Sequence, residues 1–382
     1  MLSALAVLIA IVIAVIGASR SGRLQPLFRW LPVPLWCYAL PAAAVALDWL
    51  PRGAPIYRAS TDRLLPVALG LLLIGVDVPA VFRAGGRALI AAGIGAGSII
   101  IGAALAVGLL HDALPAEAWK GAGALAGTWT GGTMNLLALR AVLQIPEAIF
   151  APLIVVDALI AYGWMAVLVA ASGLQGPIDR WLGAAPQAIP SPAVSRSDMP
   201  ARSLRGVVLC TLIAVGLSAG AGALSARLPT TTLISSAAGW TVLLATTGAL
   251  MLSLVPAVRR VGTTGEALGY VCLYVVLAAT GAQANVQALW AAPAWILVGL
   301  GVVMLHATAL LVTGRLLRIP LGILATASQA NIGGVVSAPL VGAVYHQAFA
   351  PVGLLLAMAG NALGTYFGLL AATLCRRLAG LP

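Results

Sequence analysis

Residues Gly127–Leu139 read GTWTGGTMNLLAL. The stretch lies inside an apolar run, yet it centres on two adjacent glycines, Gly131 and Gly132, with Thr128, Thr130, Thr133 and Asn135 around them. Glycine costs about 1 kcal/mol relative to alanine in a helix interior, so the pair marks a place where a helix opens. The N–H and C=O groups freed there cannot face lipid and must line protein or a water-filled cavity. Half-helix N-termini favour anions and C-termini favour cations. The stretch therefore reads as a place where a membrane helix opens and its polar groups gather.

The rest of the chain agrees with a membrane setting. Of its 382 residues 61% are hydrophobic and 8% charged, and the mean hydropathy is +1.05. No soluble domain hides that much apolar surface. Crossing the hydrocarbon takes roughly 20 apolar residues as helix. Candidate spans fall near 1–19, 31–49, 64–82, 88–110, 120–143, 150–173, 204–226, 235–256, 265–283, 291–314, 319–344 and 350–375. The fold class expected is an all-α polytopic membrane protein of about 11 to 13 helices. The first segment has its positive charges, Arg20 and Arg23, at its far end, the reverse of a cleaved signal, and reads as an anchored helix. The net charge of +11 fits arginine-rich inside loops, not a nucleic-acid module. Cys37, Cys210, Cys272 and Cys375 form no CxxC and read as packing residues. His111, His306 and His346 lie far apart and suggest neither a metal site nor a dyad. No protease, phosphate-loop or nucleophile-elbow motif is present, so an enzyme is not expected.

A polar, proline-rich segment at 174–203 divides residues 1–173 from 204–382, and the two parts resemble each other. Gly131-Gly132 corresponds to Gly333-Gly334, an offset of 202 (131 to 333). Asp157–Tyr162 corresponds to Asn361–Tyr366, and Gly75–Pro79 to Gly281–Asn285, in the same order along the chain. Equivalent loops differ in charge: Asp112 and Glu117 precede the first broken helix, Arg315 and Arg318 the second. By the positive-inside rule this implies inverted repeats, the architecture of many secondary transporters. Inversion requires an even number of helices between the two broken ones, whereas the spans above give five. Either one span does not cross, or the 174–203 linker hides a crossing or a re-entrant piece.

The second break, ATASQANIGGVVSAPLVGAV (Ala325–Val344), repeats the pattern of the first. Ser328, Gln329, Asn331 and Ser337 surround Gly333-Gly334. The alternative is that these glycines only let helices pack closely. Asp157 sharpens the functional reading, because an ionisable group deep in an apolar span is costly and marks function by default. Its repeat counterpart is the neutral Asn361. Asp157, Asn135, Thr130 and Gln329 are the candidates for cation or proton coupling. Thr128, Gly131, Gly132, Thr133, Ser328, Asn331, Gly333, Gly334 and Asn361 are the candidates for the solute. Asp77 reads as an edge charge reaching Arg83 or as a residue behind the site. Arg140 reads as an inside anchor or an attractor of anions, Trp129 as packing or a stacking surface, and Glu266 as an interfacial helix cap.

GTWTGGTMNLLAL with VVDALIAY, and ASQANIGGVVSAPLVGAV with GLLLAMAGNALGTYFGLL, resemble the YjcL-like family of multipass membrane proteins, domain of unknown function 819. The resemblance covers almost the whole chain. More distantly the family is similar to bile-acid/sodium symporters, glutamate/sodium symporters and cation/proton antiporters. That resemblance implies a panel domain and a core domain built on two discontinuous helices that cross at mid-membrane. It implies a secondary transporter and supplies no substrate. The expectation is coupled movement of a small polar solute (an organic anion, amino acid or short peptide) across a bacterial inner membrane, with Na⁺ or H⁺ as the coupling ion. A cation/proton antiporter or a non-transporting sensor or scaffold is the alternative. No cofactor beyond Na⁺ is expected. The expected partners are the solute and the lipid bilayer, with a homodimer admitted and no nucleic acid.

Overall fold

The computed structural model describes residues 2–24, 27–28, 31, 33–184, 203–231, 233–284 and 292–378. Among these the chain forms fifteen α-helices and no strand. They are α1 (Leu2–Ser19), α2 (Val33–Ala46), α3 (Pro55–Leu73), α4 (Gly86–Leu109), α5 (Ala118–Gly131), α6 (Thr133–Leu143), α7 (Glu147–Ala171), α8 (Gln175–Leu182), α9 (Leu204–Ser225), α10 (Ala237–Ser253), α11 (Pro256–Gly281), α12 (Ala292–Leu317), α13 (Leu321–Ile332), α14 (Gly334–Tyr345) and α15 (Phe349–Leu378). Six helical stretches are long and apolar enough to cross a membrane: α4, α7 with α8, α9, α11, α12 and α15. The chain is a polytopic membrane protein in composition and in helix length.

Most boundaries follow the apolar runs, and the exceptions have local causes. Helix α3 starts at Pro55, a residue suited to a first helical position. Its opening turns carry Arg58, Asp62 and Arg63, which is why hydropathy alone started the span at 64. Helix α11 likewise starts at Pro256, so Glu266 lies exposed ten residues inside the helix and is not its cap. The start of the 174–203 segment is helical (α8), and it closes on Gly183 in the left-handed region at φ 67°. An oxygen of Asp179 on α8 accepts the Leu321 N–H at 2.7 Å, which caps the start of α13. Residues 185–202 and 285–291, including Asn285 of the repeat, lie outside the described residues.

The helices gather into two compact units. One comprises 1–76, 140–158 and 199–292, and the other 77–139, 159–198 and 293–382. Each unit draws on both halves of the sequence, so the units are not the two repeats. The second unit contains both glycine breaks. In the first unit α3 and α11 meet backbone to backbone: a methyl group on Gly75 would stand 2.9 Å from the Gly262 carbonyl carbon.

Within the second unit, the breaks are sharper than the sequence implies. A methyl group on Gly322, at the start of α13, would lie 3.2 Å from Cβ of Tyr345, at the end of α14. In a straight helix these residues would be about 35 Å apart. Ala325 and Val341 share one apolar cluster, and Gln329 bonds Ser337. Helices α13 and α14 therefore fold back on each other as a hairpin with Gly333-Gly334 at its tip. The first break does the same. The Leu139 side chain on α6 packs against Gly127 on α5, residues that a straight helix would hold about 18 Å apart. The pieces lie side by side, not end to end, and neither hairpin crosses as a single discontinuous rod.

Candidate functional site

Helix α15 holds the two hairpins. On α5, Gly123, Gly127 and Gly131 recur every fourth residue, and on α15 Gly360, Gly364 and Gly368 do the same. A methyl group on Gly368 would stand 2.7 Å from Gly123 O, one on Gly364 2.7 Å from Gly127 O and 2.7 Å from Gly131 Cα. Gly360 sits against Thr130 O. Ascending residues on α5 meet descending residues on α15, so the helices run antiparallel in close backbone contact, with the Ala372, Leu139 and Asn135 side chains packed along the seam. Gly131 thus serves close packing, as the alternative reading of the sequence had it. Helix α14 is also antiparallel to α15: Gly342 meets Phe349 and Ala350, and Gly353 meets Ala338. It follows that α5 and α13, the leading arms of the hairpins, point in opposite directions. Along α15 the second hairpin packs from Phe349 to Gly353 and the first from Gly360 onward, so the tips approach the turn around Ala357–Asn361.

At the first tip, Gly132 has φ 81° and ψ 171°, a region essentially restricted to glycine. One turn on, the Asn135 amide donates to Gly131 O at 2.6 Å and to Asn361 O at 3.4 Å. Its carbonyl oxygen accepts from Thr365 Oγ1 at 2.6 Å. Asn135 therefore closes the end of α5 and ties the tip to α15. Thr130 Oγ1 donates to Ala126 O of its own helix at 2.7 Å. Thr128 and Trp129 are buried, while Gly132 and Thr133 are half-buried. The Asn361 side-chain oxygen would stand 3.4 Å from a methyl group on Gly132, over the break.

At the second tip, Gly334 has φ 76°. The Gln329 amide donates to Ser337 Oγ at 2.9 Å, and both side chains press on Gly333. Gln329 is 1% exposed, and its Oε1 has no hydrogen-bond partner. A buried acceptor left unpaired costs about 1–3 kcal/mol, which a cation or a donor group arriving at the tip would relieve. The sequence places the two breaks; the structure adds that both tips are lined by neutral amides, hydroxyls and bare backbone.

The family profile described as protein of unknown function (DUF819) matches residues 3–378. The chain belongs to the DUF819 family. No curated protein matches it.

The other predicted residues of this DUF819 protein fall in several places. Asp157 is half-buried on α7, in the part of that helix assigned to the first unit, whereas both tips belong to the second. Arg140 pairs with Glu147 at 2.6 Å and stacks on the Phe150 ring at 4.6 Å, and Tyr38 donates to Glu147 at 2.8 Å. Its charge is answered locally. Asp77 pairs with Arg83 at 3.5 Å, as an edge charge does. Asn331 donates to Ala92 O at 3.1 Å and fastens α13 to α4. Cys37, Cys210 and Cys375 are buried free thiols, and Cys272 is half-buried.

Ser328 faces away from the tip, into a group the sequence did not reveal. Its hydroxyl lies 2.8 Å from His306 Nε2 and accepts from the Trp164 indole N–H at 2.8 Å. His306 is fully buried, with Nδ1 3.1 Å from both Ser98 Oγ and Gly95 O. One histidine in a long apolar helix carries no spacing signal, because its partners come from two other helices, α4 and α13.

Proposed function

We propose that this DUF819 protein is a secondary active transporter, moving a small polar solute by alternating access with Na⁺ or H⁺ as the coupling ion. The observation that carries the reading is the pair of hairpins. Their leading arms point oppositely, their tips converge on one turn of α15, and one tip holds a buried, unpaired oxygen on Gln329. Irregular backbone at that depth is tolerated where it lines a binding cavity. Hairpins that turn back also support the inverted repeat. With neither hairpin crossing, inversion needs an odd number of crossings between them, and α7, α9, α11 and α12 supply it when the shorter apolar helix α10 is counted as a fifth crossing.

In this reading Gly132, Thr133, Asn361, Gln329, Gly333 and Gly334 meet the solute or ion, with Thr128 and Asn331 beside them. Asn135 and Thr130 hold the first tip in shape. The solute is an organic anion, amino acid or short peptide, and the protein sits in the bacterial inner membrane with lipid as its other partner. Cation/proton exchange is disfavoured by neutral tips, since antiporters usually carry two ionisable groups there. A thermal-shift screen of solutes and cations on purified protein finds the ligand, because whatever binds the native state raises its melting temperature. Uptake of that ligand into liposomes under a Na⁺ or pH gradient then tests transport. A library that never shifts the melting temperature, with no gradient-driven uptake, would leave a sensor or scaffold instead.

A further inference from the structure

We propose that His306 is a proton-binding site and that Ser328 transmits its charge state to the second hairpin. The inference rests on the transporter reading for its purpose, but not for its chemistry. Ser98 Oγ donates to Gly95 O at 2.7 Å, so its oxygen is left to accept. His306 Nδ1 faces that oxygen and the Gly95 carbonyl, both acceptors, and therefore carries the proton. In the neutral ring Nε2 is then a lone pair, and Ser328 must donate to it. The indole of Trp164 can only donate, so it gives its N–H to Ser328 Oγ. Every hydrogen in the chain from Trp164 through Ser328 and His306 to Ser98 has one direction.

Adding a proton breaks that order at a single point. It takes the Nε2 lone pair, and the new N–H faces Ser328 Oγ. Ser328 then accepts from both sides and its own O–H turns to a new acceptor. The balance is one proton bound and one hydroxyl redirected. Ser328 lies on α13, directly before Gln329, whose carbonyl oxygen is unpaired at the tip. Gly95 keeps the pocket tight: a methyl group there would stand 2.9 Å from His306 Cε1 and would strike the Asn331 amide. The groups that hold the ring are neutral. The ionisable groups on the four helices concerned are Arg87 on α4, Glu147, Asp157 and Tyr162 on α7, and Arg315 on α12, with none on α13. Asp157 stands two turns before Trp164 on α7, about 10 Å along the axis, and is the competing proton carrier.

The experiment uses the full chain with His111→Asn and His346→Asn, both exposed positions, so that His306 is the one remaining histidine. Nitrogen-15 NMR of the labelled protein follows the ring from neutral to acidic pH in phosphatidylethanolamine/phosphatidylglycerol nanodiscs. The expected result is an Nδ1–H tautomer at neutral pH that becomes imidazolium on acidification, with the Trp164 indole signal shifting in step. Ser328→Ala is expected to uncouple the Trp164 shift while the ring still titrates. An Nε2–H tautomer, a ring that never protonates, or a titration of Trp164 that Asp157→Asn abolishes and His306→Gln leaves intact would each overturn the proposal. Titration needs no solute, so a ring that titrates in a protein without uptake would refute transport and keep the site. Gradient-driven uptake in a protein whose His306 ring never protonates would refute the site and keep transport.

Discussion

At Gly334 the backbone takes φ 76° and nothing stands within 4 Å of a side-chain carbon placed there. Gly334→Ala therefore meets only the left-handed backbone cost, about 1–2 kcal/mol. At Gly131 the backbone is helical but the space is taken by Gly360 O and by Gly364 Cα, 2.8 Å away. Gly131→Ala has to push α5 off α15. The expected outcome in thermal unfolding of the detergent-solubilised protein is a small fall in melting temperature for Gly334→Ala and a larger one for Gly131→Ala. Glycines of the same Gly-Gly pattern thus serve different ends, and the sequence could not separate them. Asn135 is equally specific. Replacing it with alanine removes its bonds to Gly131 O, Asn361 O and Thr365 Oγ1, leaving buried partners unpaired. Each net bond is worth about 0.5–1.5 kcal/mol. The fall in stability for Asn135→Ala is expected to exceed that for Thr130→Ala, whose hydroxyl answers only its own helix.

The hairpins were half legible in the sequence. Gly131-Gly132 and Gly333-Gly334 show where the chain is free to bend, and both breaks fall there. They do not show how far it bends, because that depends on Leu139 finding Gly127 and Tyr345 finding Gly322 across the fold. On the proposed inverted-repeat reading the crossing-count conflict has the same origin, since a pair of arms that turns back was counted as one helix that passes through. The contribution of Asp179 was hidden in a segment read as a linker. Its carboxylate caps α13 from a short helix 142 positions earlier in the chain. Loss of a cap typically costs about 1 kcal/mol. Asp179→Ala is expected to speed amide hydrogen exchange in the first turn of α13 and to leave α14 unchanged; uniform acceleration across the hairpin would argue against a local cap.

Over the whole molecule, opposed hairpins make a prediction about sidedness. The loop before α5 carries Asp112 and Glu117, and the loop before α13 carries Arg315 and Arg318. With the four native cysteines replaced, Ala116→Cys is expected to react with an impermeant maleimide from outside intact cells. Arg318→Cys is expected to react only in inside-out vesicles. Labelling of both from one side would refute the opposed arrangement. The glycine seam between α5 and α15 has one more effect. Helix α15 is a common beam on which two fingers rest from opposite ends, and along its seam with α5 backbone meets backbone at Gly360, Gly364 and Gly368. On the transporter reading proposed above, a displacement of either finger is passed to the other through that shared helix, so filling one tip is expected to alter the grip of its opposite number. On that reading, two half-sites built on one beam respond as a single device.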